Sequence, residues 1–249
     1  MELPPLDCHA HVSPGVTDRQ LAQLGPAIVF AMTREPSEAA EATRRFDSNL
    51  LWSCGAHPSF VARGGSVDLD QFSRCTKRFA VVGEIGLDRR SGNLQLQQEV
   101  LAGILDHVRD EPVLMSVHSA GCTSETLRIL SHHRRTGVIM HWFTGTRAEA
   151  DELLAIGCYF SVNTAMRREI LEAVPRDRML PETDYPVARR RTGSKPGDTA
   201  ALESVLAEIH GTDPGSVRRQ FYRNLRRVSV ETGAVDRMPT HVSNLLLLA

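Results

Sequence analysis

Short apolar runs alternate with longer amphipathic segments along almost the whole chain. The runs predict strands at Pro4-Pro5-Leu6 (leading into Asp7-Cys8-His9-Ala10-His11), Ala27–Met32, Leu50–His57, Phe79–Glu84, Pro112–His118, Gly137–His141, Cys158–Asn163 and Arg178–Asp184. Rich in Val, Ile, Leu and Phe, they suit strands buried on both faces. Between them, helical spacing predicts helices over Asp18–Leu24, Ser37–Phe46, Asp68–Lys77, Asn93–Arg109, Thr123–His132, Thr146–Ile156 and Arg167–Ala173, with Ala200–His210 and Pro214–Gly233 closing the series. Asn93–Arg109 carries the clearest stripe, through Leu94, Val100, Leu101, Ile104, Leu105 and Val108. Ser37 reads as a cap, and Thr146 with Glu149 three residues on as a capping box. Pro181 lacks the N–H that a sheet ladder needs, so the last strand should be short or bent. Strands and helices in alternation predict one (β/α)8 barrel over residues 3–233, with a tail over 234–249. The length of 249 residues suits such a barrel as a single domain.

Composition narrows the picture modestly. A formal net charge of −1 excludes nucleic-acid binding by bulk electrostatics, so any phosphate must be held by local groups. The five cysteines are scattered without a C-x-x-C pair, and read as small buried hydrophobes of a reducing, cytoplasmic setting. No signal peptide precedes the first strand, and no apolar run reaches membrane-spanning length. Leu245-Leu246-Leu247-Leu248 docks on the domain or on a partner subunit, two options the sequence leaves open.

The chemistry collects at strand ends. His9 and His11 are two apart in an extended run, so they share a face and offer half of a divalent-metal site. Asp7 shares that face, placed to steady one ring. His57, Glu84, His118, His141 and Asp184 close later strands, and carboxyl ends of barrel strands converge on one mouth. His107, His132, His133 and His210 fall on helices and His241 in the tail, where solvated surface is the simpler reading. Buried imidazoles and carboxylates need partners, which a metal centre supplies.

Asp7-Cys8-His9-Ala10-His11, Gly55-Ala56-His57-Pro58, Gly83-Glu84-Ile85-Gly86-Leu87-Asp88, His141-Trp142-Phe143-Thr144-Gly145 and Glu182-Thr183-Asp184 resemble, in order, the motifs of the TatD family of metal-dependent hydrolases, known chiefly as deoxyribonucleases of the amidohydrolase superfamily. Ser116–Ser119, Met140–Gly145 and Gly157–Asn163 are also similar to the TatD-like member of the Qat anti-phage gene cluster. The family resemblance implies two divalent ions, Zn2+, Mn2+ or Mg2+, of which the first two suit mixed imidazole and carboxylate ligation better. His9, His11, Glu84 and Asp184 would hold one, and Glu84, His118 and His141 the other, with Glu84 bridging. Asp184 would take the proton of the attacking water, and His57 would face the phosphoryl oxygens.

Substrate-facing positions depart from the family pattern. No arginine follows His118, Tyr185 follows Asp184 where the family has a small residue, and Lys195 replaces an asparagine. Tyr185 either stacks on a base or packs, and Arg189, Arg190, Arg191 and Lys195 either neutralise phosphates near the mouth or are simply solvated. Arg218, Arg219, Arg223, Arg226 and Arg227 read as facing solvent or a partner protein. The leading expectation is a two-metal phosphodiesterase trimming single-stranded or frayed DNA ends in the cytoplasm. An amidohydrolase of esters, lactones or amides, including a D-aminoacyl-tRNA deacylase, is the competing reading. A protein-binding component of a defence complex is a third.

Overall fold

The computed structural model describes residues 2–187 and 191–249. Its strands are β1 (Leu6–Ala10), β2 (Ile28–Ala31), β3 (Leu50–Cys54), β4 (Val81–Asp88), β5 (Leu114–Ala120), β6 (Val138–His141), β7 (Tyr159–Val162) and β8 (Met179–Pro181). They form one eight-stranded sheet in sequence order, every pair parallel. Its edges meet just past β8, where Asp184 N–H donates to His9 O (2.9 Å) and His11 N–H to Tyr185 O (2.8 Å). The result is the (β/α)8 barrel that the alternation predicts.

Local chemistry explains most boundaries. The Thr146–Glu149 capping box forms, with the Glu149 N–H on Thr146 Oγ1 (3.3 Å) and the Thr146 N–H on Glu149 Oε2 (2.8 Å). β8 is three residues long and ends on Pro181, as the missing N–H requires. Ser37, in contrast, is not a cap. The helix runs Pro36–Ala42, because proline at its first position sacrifices only an N–H that has no helical partner anyway. Two helices escaped the periodicity, Pro58–Ala62 and Thr240–Leu247. The second settles the leucine tail: Val242, Leu245 and Leu246 are buried on the chain's own domain, while Leu247 and Leu248 remain exposed.

Two irregularities aim the mouth. The β1–β2 register shifts between Asp7 and Ala10, and the β4–β5 register between Val82 and Ile85. Such shifts re-aim side chains, and these bracket His9 and Glu84. Glycines allow the close approach. A Cβ at Gly55 would stand 2.0 Å from Thr33 O, and one at Gly86 2.1 Å from His118 O. Gly86 also needs φ +135°, outside the range of other residues.

The opposite end is held by the helix Pro214–Thr232. Arg218 Nε and Nη2 donate to the two oxygens of buried Glu203 at 2.8 and 2.7 Å, and Nη1 donates to Leu3 O at 3.1 Å. Tyr222 OH donates to Pro4 O (3.0 Å), and Asn224 Nδ2 to Arg176 O (2.8 Å) and Met179 O (2.7 Å). Arg218 is thus mostly buried rather than turned to solvent, and ties the segment leading into β1 to the surrounding helices.

Candidate metal centre

His9, His11, His57, Glu84, His118, His141 and Asp184 meet at the mouth. His9, His11 and Glu84 offer ligand atoms within 4.8 Å of one another. The two Glu84 oxygens divide their neighbours. Oε2 lies 3.6 Å from His9 Nε2 and 3.3 Å from His11 Nε2, whereas Oε1 lies 2.6 Å from His118 Nδ1 and 3.8 Å from His141 Nε2. Asp184 Oδ1 stands 3.7 Å from His9 Nε2 and 3.5 Å from His11 Nε2. Asp184 adopts φ +48° and Trp142 φ +36°, left-handed backbone costing about 1–3 kcal/mol each, of the kind that clusters at working sites.

Among the described residues, His9 Nε2, His11 Nδ1, both His118 nitrogens, Glu84 Oε2 and Asp184 Oδ1 are buried without a hydrogen-bond partner. The His118 Nδ1 approach to Glu84 is close but lies off the line that a hydrogen bond requires. Leaving such atoms unpaired costs roughly 1–3 kcal/mol apiece, and a divalent cation is the partner that imidazole lone pairs and carboxylates share. The donor set fits metal.

Electrostatics follow from crowding. Burial works to raise Glu84, but the imidazoles of His118, His11 and His9 overcome it and hold the carboxyl well below its usual range. Burial likewise opposes ionised Asp184, and His141, His11 and His9 prevail. Desolvation, helped by His141, lowers His9. Burial disfavours charged His141 too, yet Glu182, Asp184 and Glu84 together lift it to about 10. Desolvation drops His57 to about 4, so it stays neutral.

Ring orientation separates a ligand from a donor. His141 Nδ1 sits 2.8 Å from Glu182 Oε2, which turns Nε2 toward the cluster. Glu182 is itself held by the Ser161 hydroxyl and by Asn163 Nδ2 at 2.7 Å. His9 Nδ1 pairs with Ser116 Oγ at 2.7 Å. His57 is reversed. Its Nδ1 accepts the Ser59 N–H at 3.0 Å and caps the Pro58–Ala62 helix, so the proton of the neutral ring is on Nε2, 3.5 Å from Glu84 Oε2. That edge presents a donor, although His57, Glu84 and His118 also offer ligand atoms within 4.8 Å of one another.

Asp7 does not hold a ring. Its carboxylate accepts the N–H groups of His9 (3.2 Å), Thr183 (3.0 Å) and Gly197 (2.8 Å) and the Thr183 hydroxyl (2.6 Å), binding β1 to the chain after β8. Burial pushes it up to about 7 despite those bonds. Tyr185 and Lys195 line a groove beside His11, and Lys195 Nζ donates to Gln23 O at 2.7 Å. Arg189 and Arg190 lie outside the described residues; Arg191 is exposed. Sequence reasoning missed Glu182, Ser116, Asn163 and the His57 cap. Only the alternation of Ser161 and Asn163 along β7 hinted at a polar inner face.

Comparison with known proteins places the chain in a family. The family model described as TatD related DNase matches residues 6–229. The chain is 29% identical to the uncharacterized metal-dependent hydrolase YcfH of Escherichia coli K12, over 66% of the chain and 67% of that protein. It is 28% identical to the 3'-5' ssDNA/RNA exonuclease TatD of Erwinia billingiae, over 75% of the chain and 80% of that protein. Among solved structures, the TatD homolog YJJV of Escherichia coli K12 superposes with a TM-score of 0.74 at 19% identity, covering 89% of this chain and 97% of the other.

Proposed function

The chain belongs to the TatD-related DNase family of metal-dependent hydrolases, and from that premise we propose that it is a two-metal phosphodiesterase acting on ends and single strands of DNA. The observation that carries this reading is the split of Glu84, with one oxygen turned to His9 and His11 and the other to His118 and His141. A carboxylate so placed suits two cations, whose repulsion a shared anion offsets. His9, His11, Glu84 and Asp184 would hold one, and Glu84, His118 and His141 the other. Bound ions would polarise a phosphoryl oxygen and bring the pKa of water toward neutrality. Zn2+ or Mn2+ suits these ligands better than Mg2+.

The chain's own groups supply the remaining chemistry. Asp184 Oδ1, buried and without a hydrogen-bond partner, takes the proton of the attacking water and returns it to the leaving oxygen. His57 donates Nε2–H to a phosphoryl oxygen as negative charge builds there, its ring fixed by the Ser59 amide. Tyr185 offers a half-exposed aromatic face on which a terminal base can stack. A flexible terminus enters a barrel mouth more readily than the middle of a stiff duplex does.

End-labelled single-stranded and duplex DNA, incubated with metal-loaded protein and with Glu84→Gln, tests this. Shortening from the ends, faster on single strands and absent in the variant, is expected. Intact DNA beside hydrolysis of a small carboxylic ester would transfer the centre to carbonyl chemistry. Service in anti-phage defence belongs to the same proposal, and phage plating on cells carrying Glu84→Gln must show lost protection for it to stand.

A further inference from the structure

Arg34 stands just past β2, between His11 beyond β1 and His57 beyond β3. Its backbone is fixed: its carbonyl accepts the His57 N–H at 2.8 Å, and its own N–H donates to Glu38 Oε2 at 2.6 Å. Arg34 is half-buried, and its guanidinium makes no hydrogen bond or ion pair with any described residue. Of the other half-buried arginines, Arg45 is held by Asp47, Arg218 by Glu203 and Arg237 by Glu111, while Arg135 donates to Glu111 O and Arg178 lies over the Tyr159 ring, both ahead of their strands and away from the mouth. The bond of the Arg34 carbonyl to the His57 N–H, at the carboxyl end of β2, places Arg34 on the metal-centre rim. It pairs with neither Glu84 nor Asp184, so it lies outside the carboxylate cluster. A half-buried arginine without an anion, at the mouth of a phosphodiesterase, matches a phosphate in charge and in fork geometry. Across the centre, beyond β1 and β8, His11, Ser13, Gln20, Tyr185 and Lys195 line a groove of about 430 Å3, within the range of small-ligand sites.

We propose that Arg34 binds a phosphate of the substrate strand other than the one cleaved, so that the strand crosses the mouth from Arg34, past Glu84 and Asp184, into the groove at Tyr185. The inference rests on the phosphodiesterase reading and narrows it to substrates with at least one phosphate beyond the scissile one. Arg34 is then a positioning residue.

The test uses metal-loaded protein and a fluorescent hexanucleotide carrying hydrolysis-resistant phosphorothioate linkages, with anisotropy read between about 50 and 200 mM salt. Arg34→Gln should weaken binding about tenfold and flatten the slope of log affinity against log salt by about 0.7, with Arg34→Lys partly restoring both. On cleavable DNA its KM should rise while kcat holds, and bis(p-nitrophenyl) phosphate, which lacks a second phosphate, should be cut at the wild-type rate. The exposed Arg226→Gln serves as the charge control. Wild-type affinity and salt slope in Arg34→Gln would overturn the inference and leave the nuclease reading intact. An equal loss on bis(p-nitrophenyl) phosphate would overturn it by placing Arg34 on the scissile group or in the scaffold. A wild-type protein that neither binds nor cuts oligonucleotides would end both readings.

Discussion

The two rims of the barrel bury polar side chains for opposite ends. At the lower rim Glu203, Tyr222 and Asn224 are matched by donors or acceptors within 3.1 Å, and Arg218 closes the set. At the mouth, His9, His11, Glu84, His118 and Asp184 keep buried atoms without a partner. Burial and charge are similar, yet satisfaction differs. Polar groups that satisfy one another stabilise the fold, whereas a cluster that leaves its lone pairs converging on one space is built for something that arrives later. Mutations at the two rims should therefore separate stability from activity.

The largest separation is expected from Glu84→Gln at the mouth. Turnover should fall by about 10²–10⁴-fold, with bound metal reduced and the far-ultraviolet circular dichroism of the native fold retained. A variant that still cuts at near wild-type rate would remove the bridging role. Its counterpart is Glu203→Ala at the lower rim. Unfolding in urea should lose about 2–4 kcal/mol, less than for a fully enclosed pair because Arg218 keeps 17% of its side-chain surface exposed, while kcat below the transition stays unchanged. Equal damage to kcat would show that the rims are not independent.

Glu182→Gln probes the layer between them. Loss of the charge on His141 Nδ1 should weaken metal binding about 10–100-fold by titration calorimetry, with the melting temperature of the metal-free protein nearly preserved. Unaltered affinity would make Glu182 a packing residue. Smallest of all, Ser59→Ala removes a hydroxyl 2.7 Å from His57 Nδ1 but keeps the backbone N–H that sets the tautomer, so kcat/KM should fall by about 1 kcal/mol or less. A loss of several hundredfold would mean that the hydroxyl, not the amide, orients the ring.

Much of the site was legible because barrel topology turns position along the chain into position in space. A polar residue at the carboxyl end of an apolar run must reach the mouth, and His57, Glu84, His118 and His141 did so. What stayed illegible depends on partners distant in sequence. Asp7 shares a face with His9, yet the chain near Thr183 and Gly197 reaches its carboxylate first. Glu182 sits two residues before Asp184, and only the pairing of β7 with β8 brings Ser161 and Asn163 to it. Arg34 drew no notice in a chain of 29 basic residues, because lacking a counter-ion is a property of surroundings rather than of composition.

The amino-acid order alone determined the alternation of elements, the closed parallel sheet and the set of side chains brought to its rim, since periodicity and strand ends are local quantities. Tertiary structure alone decided which oxygen of Glu84 faces which imidazoles, which ring nitrogen of His57 carries its proton and that Arg34 stands at the mouth without an anion. Those outcomes are set by register shifts and hydrogen bonds between strands far apart in the chain, where a displacement of one residue exchanges one face for the other.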